Sequence, residues 1–389
     1  MPAVLFYVQH LLGIGHLTRA RVICEALAAA GCDVHLVTGG RPVGGATPRG
    51  VRTIQLPSIH VDDASMTPLL GRNGRPIDDA YREERRKLLL AAVDSTRPAA
   101  VVFETFPFGR RALQFELLPL IEKIASMEPR PLVVASIRDI LQRRRNPERE
   151  REALELARRS FDAVLVHGDR RFIRLEETFP FASELDIPVH YTGFVAPSEP
   201  VPLPRAGERC EIVVSGGGGA VGFQLMRAAI DARARSRASG VRWRLLVGTN
   251  ASDEELEILS RDAGSGVVVE RARPDFPALL ARASISVSQA GYNTVLDVMR
   301  SGARPVLVPF AENGETEQRT RASRLRELDL AVVVDKAAIS GADRAAAIDS
   351  AAAKKDWGVW NFDCDGAAHS AAIIVEMLER EGAPTRRHA

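Results

Sequence analysis

The sequence has few cysteines, no excess of charge of either sign and no long apolar run. Its four cysteines form no CxxC pair, so we expect neither a structural zinc site nor a disulfide framework, and a reducing cytoplasm suits them. The 52 basic and 50 acidic residues give a net charge of +2, which argues against nucleic acid as a partner. No apolar run approaches the ~20 residues that cross a bilayer, and the N-terminus lacks the basic leading region of a signal peptide.

The chain instead has the length and the alternation of a two-domain α/β protein. Its 389 residues exceed the ~250 at which single cores usually stop growing. Short β-branched runs such as VLFYV (4–8) alternate with amphipathic helical stretches, which predicts two parallel, doubly wound, Rossmann-like sheets. The proline-rich segment 196–208 is the predicted linker between an N-terminal domain, 1–195, and a C-terminal domain, 209–389, with the option that the last helix packs back onto the N-terminal domain.

A glycine-rich corner, GGGGAVG (216–222), follows the first predicted strand of the C-terminal half. It matches GxGxxG, the fingerprint of dinucleotide cofactors, but LLVGTN (245–250) places no acidic residue at the end of the next strand. Two interpretations stay open. The corner is a tight turn that needs small residues, or it is a loop that approaches a phosphate or an acceptor hydroxyl, which is the favoured interpretation.

The most informative stretch is SQAGYNTVLDVMRSGARPVLVPFAENGETEQRTRASRLRELDLAVVVD (288–335). It contains a small-residue loop, Asn-Thr, an acidic residue one turn into a helix, an apolar strand ending in Pro-Phe, and an acidic-Gln pair opening the next helix. This order resembles the inverting nucleotide-sugar glycosyltransferases of family 28, which include N-acetylglucosaminyltransferases of peptidoglycan assembly, and most closely a predicted bacterial branch. A weaker match is the glycine-rich turn before His16.

The resemblance implies a GT-B fold, in which two Rossmann-like domains face a cleft. It implies a hexosyltransferase whose C-terminal domain holds a nucleotide diphosphate sugar and whose N-terminal domain holds a small-molecule or lipid-linked acceptor. We expect the donor to be UDP-linked. No cofactor is implied. We expect a cytoplasmic enzyme that contacts the inner face of a membrane at most peripherally.

The resemblance also implies donor-binding residues. Asp297 would accept hydrogen bonds from ribose hydroxyls, although Thr294-x-x-Asp297 also fits a capping box. Glu317 and Gln318 would contact sugar hydroxyls, although a glutamate in a first helical turn also complements the helix dipole. Arg273 and Phe276, aligned loosely with a nucleobase loop, fit surface or packing roles equally well. The remaining donor-binding candidates are Gly217, Gly218, Ser288, Gln289, Gly291, Asn293 and Thr294.

Inverting transfer is a single displacement, so the acceptor hydroxyl needs a base with a pKa near neutrality. His16, at the start of the first predicted helix, is the candidate for this base, and Gly13 and Gly15 would let the acceptor approach the backbone. A histidine satisfied by loop carbonyls is the alternative. Glu104, at the end of the strand VVFE, is the candidate partner that orients His16, and Asp139 is the other, although it also reads as a helix cap.

The sequence shows no Asp-x-Asp near the expected donor site, since DCD (363–365) lies close to the C-terminus, and no metal is expected. Two rival functions remain. One is a nucleotide-sugar epimerase or hydrolase of the same fold, and the other is a non-catalytic protein that binds a nucleotide sugar.

Overall fold

The structure is a computed structural model. It describes residues 1–382 except 45–46, 63–66, 144–145, 198–208, 217–221, 249–250, 311–313 and 335–339. The chain divides into two compact units, Met1–Pro197 with Phe362–Ala389, and Ser198–Asn361. The predicted linker falls at this division, and its residues 198–208 lie outside the described part of the chain.

Strands and helices alternate through both units. The strands are β1 (Ala3–Val8), β2 (Asp33–Thr38), β3 (Val51–Gln55), β4 (Ala100–Glu104), β5 (Leu132–Arg138), β6 (Ala163–His167), β7 (Val189–Tyr191), β8 (Glu211–Ser215), β9 (Arg242–Val247), β10 (Val267–Arg271), β11 (Ala283–Ser288), β12 (Arg304–Leu307) and β13 (Val332–Val333). The α-helices are α1 (Gly15–Ala29), α2 (Asp79–Thr96), α3 (Gln114–Ala125), α4 (Pro147–Ser160), α5 (Phe223–Arg233), α6 (Asp253–Asp262), α7 (Phe276–Arg282), α8 (Tyr292–Ser301), α9 (Glu317–Glu327), α10 (Gly341–Ala353) and α11 (Gly366–Gly382).

The first unit is built on a parallel sheet of seven strands in the order β3-β2-β1-β4-β5-β6-β7. Its strands are apolar runs because helices cover both faces of the sheet. The chain begins at β1, moves outward to β3 and returns to β4 on the other side of β1. The carboxyl ends of β1 and β4 therefore form the topological switch point, where open α/β sheets bind their ligands.

The two faces of this sheet carry separate hydrophobic cores. Helices α2, α3 and α4 cover one face, and α1 covers the other. Helix α11 packs on the α1 face through Ala367, Ala371 and Ile374, all of them buried. This packing is why the last helix belongs to the first unit, so the second unit ends at Asn361 rather than at residue 389, the end that the sequence predicts.

A buried ion pair fixes helices α2 and α3 under the switch point. Arg85 of α2 donates from Nε to Glu116 Oε2 at 2.8 Å and from Nη2 to Oε1 at 2.6 Å, and both side chains are 0% exposed. The Tyr7 hydroxyl of β1 donates to the same carboxylate at 2.6 Å, and Arg85 also donates to the Gly39 carbonyl oxygen beyond β2. Because each buried charge is satisfied, the network ties two helices to the strands that lead into the site.

The second unit repeats the first design. Its six parallel strands run in the order β10-β9-β8-β11-β12-β13, with the switch point between β8 and β11. The two doubly wound α/β sheets that the sequence predicts are thus confirmed. None of the helices in the described ranges has both the length and the apolarity to cross a membrane.

Candidate active site

His16 and Glu104 meet at the switch point of the first sheet. His16 is the second residue of α1, which follows β1, and Glu104 is the last residue of β4. Their Nδ1 and Oε1 atoms lie 2.9 Å apart. Of the two carboxyl groups that the sequence offers as a partner, Glu104 makes this contact, whereas Asp139 Oδ1 accepts a hydrogen bond from the Ile140 amide in its own loop.

The Glu104 carboxylate is completely buried and accepts hydrogen bonds on both oxygens. Oε1 is contacted by Arg19 Nη2, one turn after His16 on α1, and by the Thr105 hydroxyl at 3.2 Å, while Oε2 accepts from the Ser136 hydroxyl at 2.8 Å. Burial alone would raise the pKa of Glu104, but the Arg19 charge and the His16 hydrogen bond hold that pKa well below its usual range. Glu104 is therefore ionised and can only accept hydrogen bonds.

A chain of polar side chains extends behind Glu104 across the carboxyl ends of three more strands. Because Ser136 donates to the carboxylate, its oxygen accepts from His167 Nε2 at 2.8 Å. His167 Nδ1 lies 2.9 Å from the Thr192 hydroxyl, which also donates to the Gly193 carbonyl oxygen at 3.0 Å. Burial and the Arg19 charge lower the pKa of His167 to about 3, so its ring is neutral. The Ser136 and His167 donors therefore both point toward Glu104.

The imidazole of His16 is 15% exposed, and its proton lies on Nδ1 because the Glu104 carboxylate accepts it. Arg19 Nη2 and the Thr105 hydroxyl each lie 3.2 Å from the same nitrogen. Nε2 then carries the lone pair, and it has no hydrogen-bond partner among the residues that the structure describes. This is the protonation state that a general base requires.

The pKa of His16 differs from the expectation of a base near neutrality. Burial lowers this pKa to about 3, the charges of Arg110 and Arg138 act in the same direction, and the hydrogen bond to Glu104 opposes them. The ring is therefore neutral throughout the physiological range. It is also a weaker base than the sequence suggests, unless something offsets the neighbouring positive charge.

Two glycines and a second histidine come from the same segment of the sequence as His16. A Cβ atom on Gly13 would stand in open space, so packing does not require a glycine at position 13. Gly15 is the first residue of α1. His10, in contrast, is buried and lies 3.0 Å from the Arg41 carbonyl oxygen, as a structural histidine would. Contact of an acceptor with Gly13 and Gly15 stays a prediction.

In the second unit, Asp297 lies one turn inside α8, which follows β11 at that sheet's switch point. The helix begins at Tyr292 with Gly291 as its N-cap, so Thr294 is its third residue. The capping-box alternative for Thr294 and Asp297 is therefore wrong, because the helix starts three residues earlier than that alternative requires. Asp297 has no hydrogen-bond partner within the described ranges, and burial raises its pKa to about 6, against the charge of Arg300. A partly buried carboxylate without a donor is suited to bind ligand hydroxyls.

Other candidates surround the start of α8. Ser288 ends β11 and is fully buried, and its hydroxyl has no partner in the described part of the chain. Gln318 Oε1 accepts from the amides of Ala290 and Phe310, both at 3.1 Å, and so ties the loops after β11 and β12 together. The partly buried residues of the loop and first turn are Gln289, Gly291, Asn293 and Thr294.

Glu317 lies in a different environment from the one that its predicted role needs. Its carboxylate pairs with Arg321 of the same helix at 2.9 Å, and both side chains are almost completely buried. The N-terminus of α9 is capped instead by Glu315, whose Oε1 accepts from the amides of Glu317 at 2.7 Å and Gln318 at 3.1 Å. The contact of Glu317 with a sugar thus stays a prediction. The cap by Glu315 was not predicted from the sequence.

The remaining donor candidates are less informative. Arg273 is exposed and pairs with Asp275 at 2.7 Å, and Phe276 opens α7 and packs on a hydrophobic cluster under it. Gly217 and Gly218 lie outside the described residues. Gly216 and Gly222 flank them, and a Cβ atom on Gly216 would stand 2.8 Å from the Gly222 Cα atom. Position 216, between β8 and α5, therefore requires a glycine.

Metal-ligating side chains do not gather at either switch point. Within the described ranges, no three His, Cys, Asp or Glu side chains are grouped as a metal site would need. All four cysteines are free thiols.

Comparison with known proteins identifies the class. Residues 212–356 match the family model described as the glycosyltransferase family 28 C-terminal domain. The chain is similar to the calicheamicin glycosyltransferase CalG4, with a TM-score of 0.62 and 17% identity over 99% of this chain and 96% of that one. UGT2 of Phytolacca americana gives a TM-score of 0.58 and 12% identity over 99% and 96%. MurG of Acinetobacter baumannii gives 0.57 and 13% over 98% and 100%. No curated protein matches the sequence.

The protein therefore has the GT-B fold of two Rossmann-like units and is a glycosyltransferase. The match to the family 28 C-terminal domain lies within its second unit.

The low pKa values of His16 and His167 can be tested by NMR. We expect both imidazoles to stay neutral from pH 8 to pH 5 because each is buried near arginine charges. Long-range ¹H–¹⁵N spectra of histidine-labelled protein, assigned with His16→Ala and His167→Ala, would show this. A midpoint near pH 6.5 for either ring would contradict the assigned environment.

The same shifts predict how stability depends on pH. The unfolded histidines bind protons below about pH 6.5, whereas the folded ones do so only near pH 3, so stability falls as the pH drops through this window. The expected loss is about 1.4 kcal/mol per pH unit for each buried histidine.

Proposed function

We propose that the protein is an inverting glycosyltransferase that moves a hexose-type sugar from a UDP-linked donor to the hydroxyl of a small-molecule or lipid-linked acceptor. The observation that carries this proposal is the contact between His16 and Glu104 at the switch point of the first sheet, with Nε2 of His16 left as a base. The coarser assignment, glycosyl transfer, rests on the family 28 domain and the fold.

In the proposed reaction, the acceptor oxygen attacks the anomeric carbon while His16 Nε2 takes its proton. The nucleoside diphosphate leaves from the opposite side, so the configuration at the anomeric carbon inverts. Glu104 stays ionised and stabilises the imidazolium that forms, and Arg19 and Ser136 prevent it from taking the proton itself. In this mechanism no side chain bonds covalently to the sugar, because the transfer is complete after one displacement.

We propose that the second unit binds the donor. The unsatisfied Asp297 carboxylate would accept hydrogen bonds from the ribose, and the amides at the start of α8 would face the diphosphate. The structure of Phytolacca americana UGT2, which was solved with UDP-2-fluoro-glucose, supports a uridine donor for this fold. We place the reaction in the cytoplasm, with at most peripheral contact with a membrane.

Asp297 should make donor binding depend on pH. Because its carboxyl has a pKa of about 6 in the free protein, affinity for UDP-glucose should be full above pH 6 and fall by up to about tenfold per pH unit below it. UDP-glucose suits this test since its diphosphate does not titrate there. Calorimetric titration of Asp297→Asn should show binding weaker by about 1–3 kcal/mol and independent of pH.

The matched control is Asp262→Asn, an exposed carboxylate on α6 of the same unit. Its affinity and pH dependence should equal those of the wild type. Unchanged affinity in Asp297→Asn would remove Asp297 from the donor site.

Inversion can be tested without knowledge of the acceptor, because water replaces it slowly. We expect UDP-α-glucose to release β-glucose first, as observed by ¹H NMR before mutarotation, and His16→Ala to slow this release by about 10²–10⁴-fold. The control is His190→Ala, a half-buried histidine on the edge strand β7. Release of α-glucose, or wild-type rates in His16→Ala, would argue against the mechanism. If mixtures of candidate acceptors leave the rate of UDP-glucose hydrolysis unchanged, the result would favour the rival function, a nucleotide-sugar hydrolase of the same fold.

A further inference from the structure

Arg110 lies in the loop after β4, and this loop is folded onto the His16 pair. Thr105 at its start is within 3.2 Å of His16 Nδ1. Gly109 packs so closely on Thr105 that a Cβ at this position would overlap the threonine methyl group. The next residue in this loop is Arg110, whose charge acts on His16.

The backbone of Arg110 adopts a conformation that most residues avoid. Its φ of 59° and ψ of 26° lie in the left-handed region. Glycine would adopt this conformation without strain, whereas a residue with a Cβ atom adopts it at an energetic cost. Such outliers concentrate at functional sites, where the surrounding structure holds them in place.

Within the described ranges, the guanidinium of Arg110 lacks the partners that the fully buried arginines have. Arg19 pairs with Glu104, and Arg85 pairs with Glu116. Arg110 is partly buried and its Nε is fully buried, yet the described chain gives its side chain no hydrogen bond and no ion pair. A buried charge without a counter-charge is costly, which points to a counter-charge supplied by a ligand.

Among the residues that the structure describes, no side chain that acts on Arg110 is available to supply it. The groups that act electrostatically on Arg110 are Arg19 from α1, Glu104 from β4, Arg138 from β5 and the Tyr7 hydroxyl from β1. The one carboxylate among them, Glu104, already accepts hydrogen bonds on both oxygens. The others are cations or a neutral phenol, so the local potential is positive.

We propose that Arg110 binds an oxyanion, a phosphate or carboxylate group of a substrate, beside His16. This inference rests on the proposed function for the identity of the substrate, and it narrows the acceptor class to anionic molecules if the group belongs to the acceptor. The other source of the same chemistry is the diphosphate of the donor. We favour the acceptor, since we propose that the donor binds to the second unit, in which residues 212–356 match the family 28 C-terminal domain.

The bound oxyanion also has a consequence for catalysis. Arg110 contributes to the low pKa of His16, so an anion on Arg110 would offset that charge and raise the pKa of His16 toward neutrality. The base would become effective only when the charged substrate is present. Arg19, Glu104 and Arg138 also face His16, and their contributions would not change.

The test is a titration of the full-length protein with inorganic phosphate, followed by NMR of the His16 ring and of arginine Nε–H groups. We expect saturable binding that shifts the Arg110 signal and raises the pKa of His16. Arg110→Gln should bind phosphate at least tenfold more weakly and lose both effects. Arg111→Gln is the control, since Arg111 is 44% exposed and pairs with Glu152.

A repeat of the titration with saturating UDP distinguishes the two sources. Phosphate binding that persists beside UDP assigns the subsite to the acceptor, and binding that UDP abolishes assigns it to the donor diphosphate. Equal binding by the wild type and Arg110→Gln, or no saturable binding by the wild type, would overturn the inference. If Arg110→Gln does not fold, the wild-type Arg110 signal still decides, and Arg110→Lys tests whether the charge suffices. Because this experiment measures phosphate binding and not turnover, its result does not depend on whether the proposed transferase mechanism is correct.

Discussion

The site in the first unit depends on one buried negative charge, the Glu104 carboxylate. A carboxylate with no exposure would normally take up a proton, and here Arg19, Ser136 and His16 keep it ionised. Because the group accepts on both oxygens, it fixes the orientation of every side chain that donates to it. The tautomer of His16 and the direction of the chain through His167 follow from this single charge.

The two units contribute different chemistry from the same architecture. In the first, the switch point brings a base and its carboxylate together, and the charge of Arg110, unpaired among the described residues, acts on the base. In the second, the equivalent position has Asp297, whose carboxyl has a raised pKa and no donor in the described part of the chain. Both features are unfavourable to the folded protein alone, and both become favourable when a ligand supplies the missing charge or hydrogen bond. This is the pattern expected of a binding site rather than of a core.

Much of the fold could be predicted because strands buried on both faces are apolar runs that helices separate. β7 could not, since it has three residues and is only partly buried at an edge. Helices α6 and α10 were missed although Ser252 and Ser340 open capping boxes that mark their starts. At the site, His16 and Glu104 stand at the ends of elements and could be recognised. Ser136 lies within β5 and His167 ends β6, and only the register of the sheet brings them behind Glu104.

The central claim is that the negative charge of Glu104, rather than its shape, makes His16 a base. The direct measurement compares Glu104→Gln with the wild type in donor turnover, with UDP-glucose affinity and circular dichroism as controls for binding and folding. The amide keeps the size but presents a donor as well as an acceptor, so turnover should fall by about 10²–10⁴-fold while affinity for UDP-glucose is unchanged. Turnover within a few-fold of the wild type would show that the charge is not needed.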